Sequence, residues 1–142
     1  GTVDISSTDA IRGIATSGQR GRSLSLGIAD AVTVLARSAS MADAAATQLG
    51  NAVDLHDHPH ITRAPANTVR DDTDLGSTPV VTHVGKLSKS DIAQALWAGE
   101  TAATALRQAH LVDGAALFLQ GQNTIVGLPA TLKLQQKEPQ DA

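Results

Sequence analysis

The stretch "DAVTVLARSASMADAAATQLGNAV", residues 30–53, changes its pattern halfway along. Its first part, "DAVTVLA" (30–36), is β-branched and mostly apolar, and predicts a strand. Its second part, "SMADAAATQLGNAV" (40–53), is rich in alanine and predicts a helix. Ser40 stands in N-cap position with Asp43 three residues later, the spacing of a capping box. A strand that feeds directly into a helix implies helices layered on a sheet.

Upstream lies "GIATSGQRGRSLSLG" (13–27), with four glycines, four hydroxyl residues and two arginines. "TVDIS" (2–6) alternates as a short strand does, and "IRGIATS" (11–17) predicts a second strand. Downstream, residues 54–79 hold three prolines and many polar side chains, and predict a long loop. "VVTHV" (80–84) predicts a strand. Residues 87–111 predict a long amphipathic helix, capped by Ser88 with Asp91 three residues on, and with Ile92, Leu96, Ala103 and Leu106 on its apolar stripe. "GAALFLQG" (114–121) and "NTIVG" (123–127) predict a hairpin turning at Gly121 and Gln122. The fold class expected is α+β, a mixed sheet covered by helices. From Leu128 the chain turns polar, so residues 1–127 are expected to form the folded part and 128–142 a tail.

The chain has 142 residues, a length suited to one domain with a real core. One Trp, one Phe and no Tyr leave that core to Ala, Val, Leu and Ile. Small core residues bring backbones close together and leave room for a partner surface to complete the packing. The net charge is −3 with dispersed basic residues, which argues against nucleic acid. No aromatics interleave with basic residues to stack bases. No cysteine is present, which excludes disulfides and thiolate chemistry. No apolar run reaches the ~20 residues of a membrane helix. A cytoplasmic location without membrane contact is the expectation these features allow.

Ser17, Gly18, Arg20, Gly21 and Arg22, with Thr16 before them, place hydroxyls, free backbone N–H groups and two guanidiniums in a short loop. Glycines let a ligand approach the backbone, and arginines fork onto phosphate or carboxylate. The loop therefore predicts a cradle for a small anion rather than a plain turn. Ser17 is also a candidate nucleophile, although no base adjoins it in sequence. Asp43 and Thr47 lie one helical turn apart on one face, and pair two hard oxygen donors suited to Mg²⁺ or Ca²⁺. The competing account of Asp43 is the capping box with Ser40, and the spacing leaves both open. "HDHPH" (56–60) sets His56, His58 and His60 in alternation. Pro59 interrupts that alternation, so the segment reads as a polar loop with solvated histidines rather than a metal centre. Thr2 would suit an N-terminal nucleophile only without the preceding Gly1.

Taken together, "GIATSGQRGRS", "AVTVLARSASMADAAATQLGNAV", "DHP" (57–59), "DLG" (74–76) and "LFLQG" (117–121) resemble the ApbE-like superfamily. More narrowly, they resemble a branch of small uncharacterised members. The founding members are flavin transferases that move FMN from FAD onto a protein threonine. The resemblance covers the chain to about Gly127 and corresponds to the C-terminal portion of a member. It implies an N-terminal companion chain, or a homo-oligomer, to complete the fold. It also implies that Ser17 and Gly18 lie beside a flavin site and that Asp43 and Thr47 bind Mg²⁺. The histidine- and proline-bearing segment of the transferases is replaced here by "GRSLSLGIAD", a departure from the pattern for FMN transfer itself. The function expected is thus that of a small-ligand enzyme or binding protein. Its ligand would be a nucleotide, flavin phosphate or small carboxylate, held with a divalent cation. The alternatives are a hydrolase of a small cyclic amide or ester using Ser17 or a processed N-terminal residue, and a non-catalytic subunit of a heteromer.

Overall fold

The β-branched run at 31–36 occupies the inside of a sheet, with neighbours on both sides. In the computed structural model, which describes residues 13–17 and 24–127, β2 (Ala31–Ala36) pairs with β1 (Gly13–Ser17) and β5 (Gly114–Leu119). The strand β6 (Gln122–Val126) adds to β5, which gives the order β1-β2-β5-β6. The α+β class holds. Every strand pairing among the described residues is antiparallel, so the sheet is not mixed. The strand expected at 2–6 and the tail at 128–142 lie outside the described residues.

Two helices cover one face of this sheet. The first, α1 (Ala39–Ala52), buries Ala42, Ala45, Ala46, Leu49 and Gly50. The second, α3 (Lys89–Gln108), buries Ile92, Ala95, Leu96, Gly99 and Ala103. Opposite them stand Val32, Val34, Ala36, Ala115, Leu117 and Leu119, every second residue of the two central strands, as the pleat requires. This core is aliphatic throughout: Phe118 is only half-buried, and Trp97 is 66% exposed on the outside of α3. Fully burying a side chain such as Leu49 or Leu117 contributes about 1.5–3 kcal/mol. Small residues allow the helices to sit close. Gly99 meets Val53 and Leu117 directly, with no space for a Cβ.

The long loop expected at 54–79 is instead partly ordered into secondary structure. It carries β3 (Ile61–Pro65) and a single turn of helix, α2 (Ala66–Val69). Strand β3 pairs with β4 (Pro79–Val84) in a separate two-stranded sheet with an irregularity between Thr62 and Arg63. Pro65 and Pro79 face each other at the end of this ladder, where a missing N–H costs little. Strand β3, "ITRAP", has no clean apolar alternation to announce it and so reads as loop, whereas its partner β4 falls where "VVTHV" predicts a strand.

Two boundaries also move. The helix α1 is capped by Ser38, whose Oγ accepts from the Met41 N–H at 3.2 Å, and not by Ser40. The β5–β6 turn sits at Gln120 and Gly121, with φ of 45° and 82°, between the paired Leu119 and Gln122. Two successive positive φ values give the primed turn that suits the twist of a two-residue hairpin.

Candidate functional site

Strand β1 presents alternate residues to opposite faces. Gly13, Ala15 and Ser17 pair with Ala36, Val34 and Val32, which belong to the core beneath the helices. Ser17 therefore lies on the helix side. Thr16 lies on the other face, where its Oγ1 is 3.2 Å from Thr33 Oγ1. The two neighbouring hydroxyls do not converge, and Thr16 can reach a ligand beside Ser17 only through its backbone. Gly18, Arg20, Gly21 and Arg22 lie outside the described residues.

The side chain of Ser17 meets the last turns of α1. A Cβ on Gly50 would stand 3.7 Å from Ser17 Oγ, so the helix is bare where the hydroxyl faces it. Gly27 comes even closer to the same point, and a Cβ there would collide with the Gly50 carbonyl oxygen. Around this junction the chain is well held. Leu26 N–H donates to Asn51 Oδ1 at 3.2 Å, and Ile28 N–H donates to the Val53 carbonyl at 2.8 Å. The second bond serves a carbonyl at the helix end that no intrahelical donor can reach.

Asp43 and Thr47 are both exposed on α1. With Gly50 they occupy positions i, i+4 and i+7, a single stripe along the helix. At the helical rise, Thr47 lies about 4.5 Å and Asp43 about 10.5 Å along the axis from Gly50. The stripe thus runs from the acidic residue to the glycine that faces Ser17. Ser17, at the end of β1, meets the last turn of α1, whereas Gly13, at the start of the strand, meets the first. Because Ser38 is the cap, Asp43 falls beyond the first turn, and the capping box with Ser40 does not form. That removes the structural duty that competed for its carboxylate. Among the described residues no group of three or more His, Asp or Glu side chains gathers to hold a metal. The carboxylate of Asp43 and the hydroxyl of Thr47 have the right donor chemistry for a hard cation, and would supply two of its oxygens. Among the described residues, Ser17 has no hydrogen bond to a histidine or carboxylate that could act as its base.

Within the histidine segment His56 and His60 are exposed, as a polar loop predicts, and only His58 is drawn partly out of solvent. His58 Nε2 lies 2.9 Å from Asp91 Oδ2, and its Nδ1 accepts the His60 N–H at 3.1 Å. The second bond puts the proton on Nε2, facing the carboxylate. His60 turns its Nδ1 to the Lys86 carbonyl at 2.9 Å, and the two rings meet edge to face at 5.3 Å. The hydrogen bond from His58, followed by that from the Ser88 hydroxyl, holds the Asp91 carboxyl below its ordinary range. These contacts tie the β3–β4 excursion to the start of α3. His56, His83 and His110 are exposed. Nothing in the spacing of residues 58 and 91 announces their contact.

Gln120 serves a similar purpose within "LFLQG". Its backbone N–H donates to Asp30 Oδ2, and its side chain bridges the Leu87 N–H and the Gly85 carbonyl.

A family model described as AbpE bacteria matches residues 1–125. The chain belongs to that family. A UPF0280 protein of Methanococcus maripaludis is 65% identical over 40 residues, which are 28% of this chain and 16% of that protein. A UPF0280 protein of Methanococcus vannielii is 64% identical over 36 residues, 25% of this chain and 15% of that protein. Each match thus spans less than a fifth of the relative's length. No solved structure matches the chain. In this AbpE-family chain, no helix among the described residues is long and apolar enough to cross a membrane.

Proposed function

We propose that this chain is the ligand-holding portion of an ApbE-like protein. It binds a small anion, a nucleotide, a flavin phosphate or a small carboxylate, in the angle between the end of β1 and the exposed flank of α1. The observation that carries this reading is the meeting of Ser17 with Gly50 on the same helical stripe as Asp43 and Thr47. The Ser17 hydroxyl donates to an anionic oxygen there. Arg20 and Arg22, three and five residues further on, are close enough in the chain to fork onto the same group. A divalent cation such as Mg²⁺ takes the Asp43 carboxylate and the Thr47 hydroxyl. It completes its oxygen shell with water and the ligand's own phosphate. Opposed charge on both sides of a phosphate supports transferase-like chemistry, since it neutralises the charge that builds up during group transfer.

A partner forms part of the same reading. Ile14 and Ile125 are 47% and 50% exposed, and their register places both on the sheet face away from the helices. This supports an N-terminal companion chain or a second copy across that face.

Calorimetric titration with FMN, AMP and inorganic pyrophosphate, each with and without Mg²⁺, tests the ligand reading. At least one is expected to bind with Mg²⁺, and to bind at least tenfold more weakly (about 1.4 kcal/mol) to Asp43→Asn. Absence of binding by all three, or equal binding by the variant, overturns it.

A further inference from the structure

The β3–β4 hairpin stands apart from the four-stranded sheet, and the ligand reading uses none of its side chains. Yet the hairpin grips the segment that packs onto the end of α1. Arg63 Nη1 donates to the Leu26 carbonyl at 2.9 Å. Its Nη2 binds the Asp54 carboxylate and reaches the Leu55 carbonyl at 3.5 Å. The neighbouring Val81 N–H on β4 donates to the Ser25 carbonyl at 2.9 Å. Leu26 is thus held by its carbonyl from Arg63 and by its N–H from Asn51, and the next residue, Gly27, rests on Gly50. The side chains of Arg63 and Asp54 are 27% and 14% accessible, so the pair is partly shielded from water.

We infer that Arg63 is a positioning residue. It fixes Ser25–Gly27 against the end of α1 and so sets the Gly50 flank that Ser17 faces. The effect on ligand rests on the proposed function above; the fixing of the segment does not. A planar fork is needed, because one head group serves a carboxylate and two carbonyls in different directions. Lysine keeps the charge and the stem but cannot make that fork.

Hydrogen exchange on the unliganded full chain tests this directly. In Arg63→Lys the Leu26 and Ile28 amides are expected to exchange about tenfold faster, the effect of losing one charged hydrogen bond. Amides within α3 are expected to keep their rates. Asn51→Ala, which releases Leu26 from the other side, is expected to give the same local signature. Unchanged exchange at Leu26 and Ile28 in Arg63→Lys, whatever Asn51→Ala does, or acceleration spread evenly over the chain, overturns the proposal. The paired measurement is FMN titration with Mg²⁺, where Arg63→Lys is expected to raise Kd about tenfold. If FMN binds the wild type and Arg63→Lys with equal affinity, the positioning role falls. If FMN fails to bind the wild type, the ligand reading fails for FMN, and exchange at Leu26 and Ile28 decides the role of Arg63.

Discussion

The two helices lie on the same face of the same sheet but are fixed by different means. Helix α1 is held by backbone. Gly13 touches the Ser38 carbonyl at its start and Gly27 touches the Gly50 carbonyl at its end, both without room for a Cβ. Helix α3 is held by side chains. Gly99 rests on the methyl groups of Val53 and Leu117, and its first turn is anchored by the His58–Asp91 contact. Backbone cannot step aside as a rotamer can. The stripe of Asp43, Thr47 and Gly50 on α1 is therefore placed more rigidly than one on α3 could be, which suits the proposed binding flank.

This contrast can be broken most severely at Gly27. Gly27→Ala forces a methyl against the Gly50 carbonyl and is expected to destabilise the chain by about 3 kcal/mol, read by urea unfolding. At Gly99 the obstructing atoms are side-chain methyls of Val53 and Leu117 rather than backbone. Gly99→Ala is expected to cost less, about 1–2 kcal/mol, because better helix propensity offsets part of the crowding. Equal losses at the two glycines would erase the distinction between the helices. A smaller effect sharpens the boundary of α1. Ser38→Ala removes the cap and is expected to cost about 1 kcal/mol in the same assay, whereas Ser40→Ala is expected to fall within about 0.5 kcal/mol of wild type.

The smallest effect concerns the side-chain anchor of α3, and it depends on pH. Asp91 titrates below its ordinary range in the folded chain because His58 and Ser88 bond its carboxylate. Its contribution is therefore present above the ordinary aspartate value and fades as pH falls through the lowered one. Asp91→Asn is expected to flatten the acid limb of stability against pH while leaving the slope above neutrality unchanged. An acid limb identical to wild type would remove Asp91 from the account.

Much of this architecture was legible in the residues themselves. The β-branched run at 31–36, the alanine-rich helix after it and the apolar stripe of α3 follow from side-chain chemistry at short range. The Ser88 cap was equally plain, since Asp91 and its N–H lie three residues away. The α1 cap was misplaced because "SASM" offers two serines two residues apart, and only the backbone decides which is extended. What could not be read was contact between distant segments. Arg63 and Leu26 are 37 residues apart, and His58 and Asp91 are 33. The "HDHPH" run suggested a solvated His58 because the carboxylate that receives it arrives on another element. For the candidate site, the sequence supplied Ser17, Asp43 and Thr47 but not the glycines that bring them onto one flank. Gly50 has no chemistry of its own to single it out, and its role is the space it leaves beside Ser17.

The central claim is that the end of β1 and the stripe on α1 hold the same ligand. A double-mutant cycle of Ser17→Ala and Asp43→Asn, read as the Kd of FMN in the presence of Mg²⁺, tests it most directly. The account predicts that each single change weakens binding and that the two together lose less than their sum, by at least about 0.5 kcal/mol. Strict additivity, or wild-type affinity in either single variant, would contradict it.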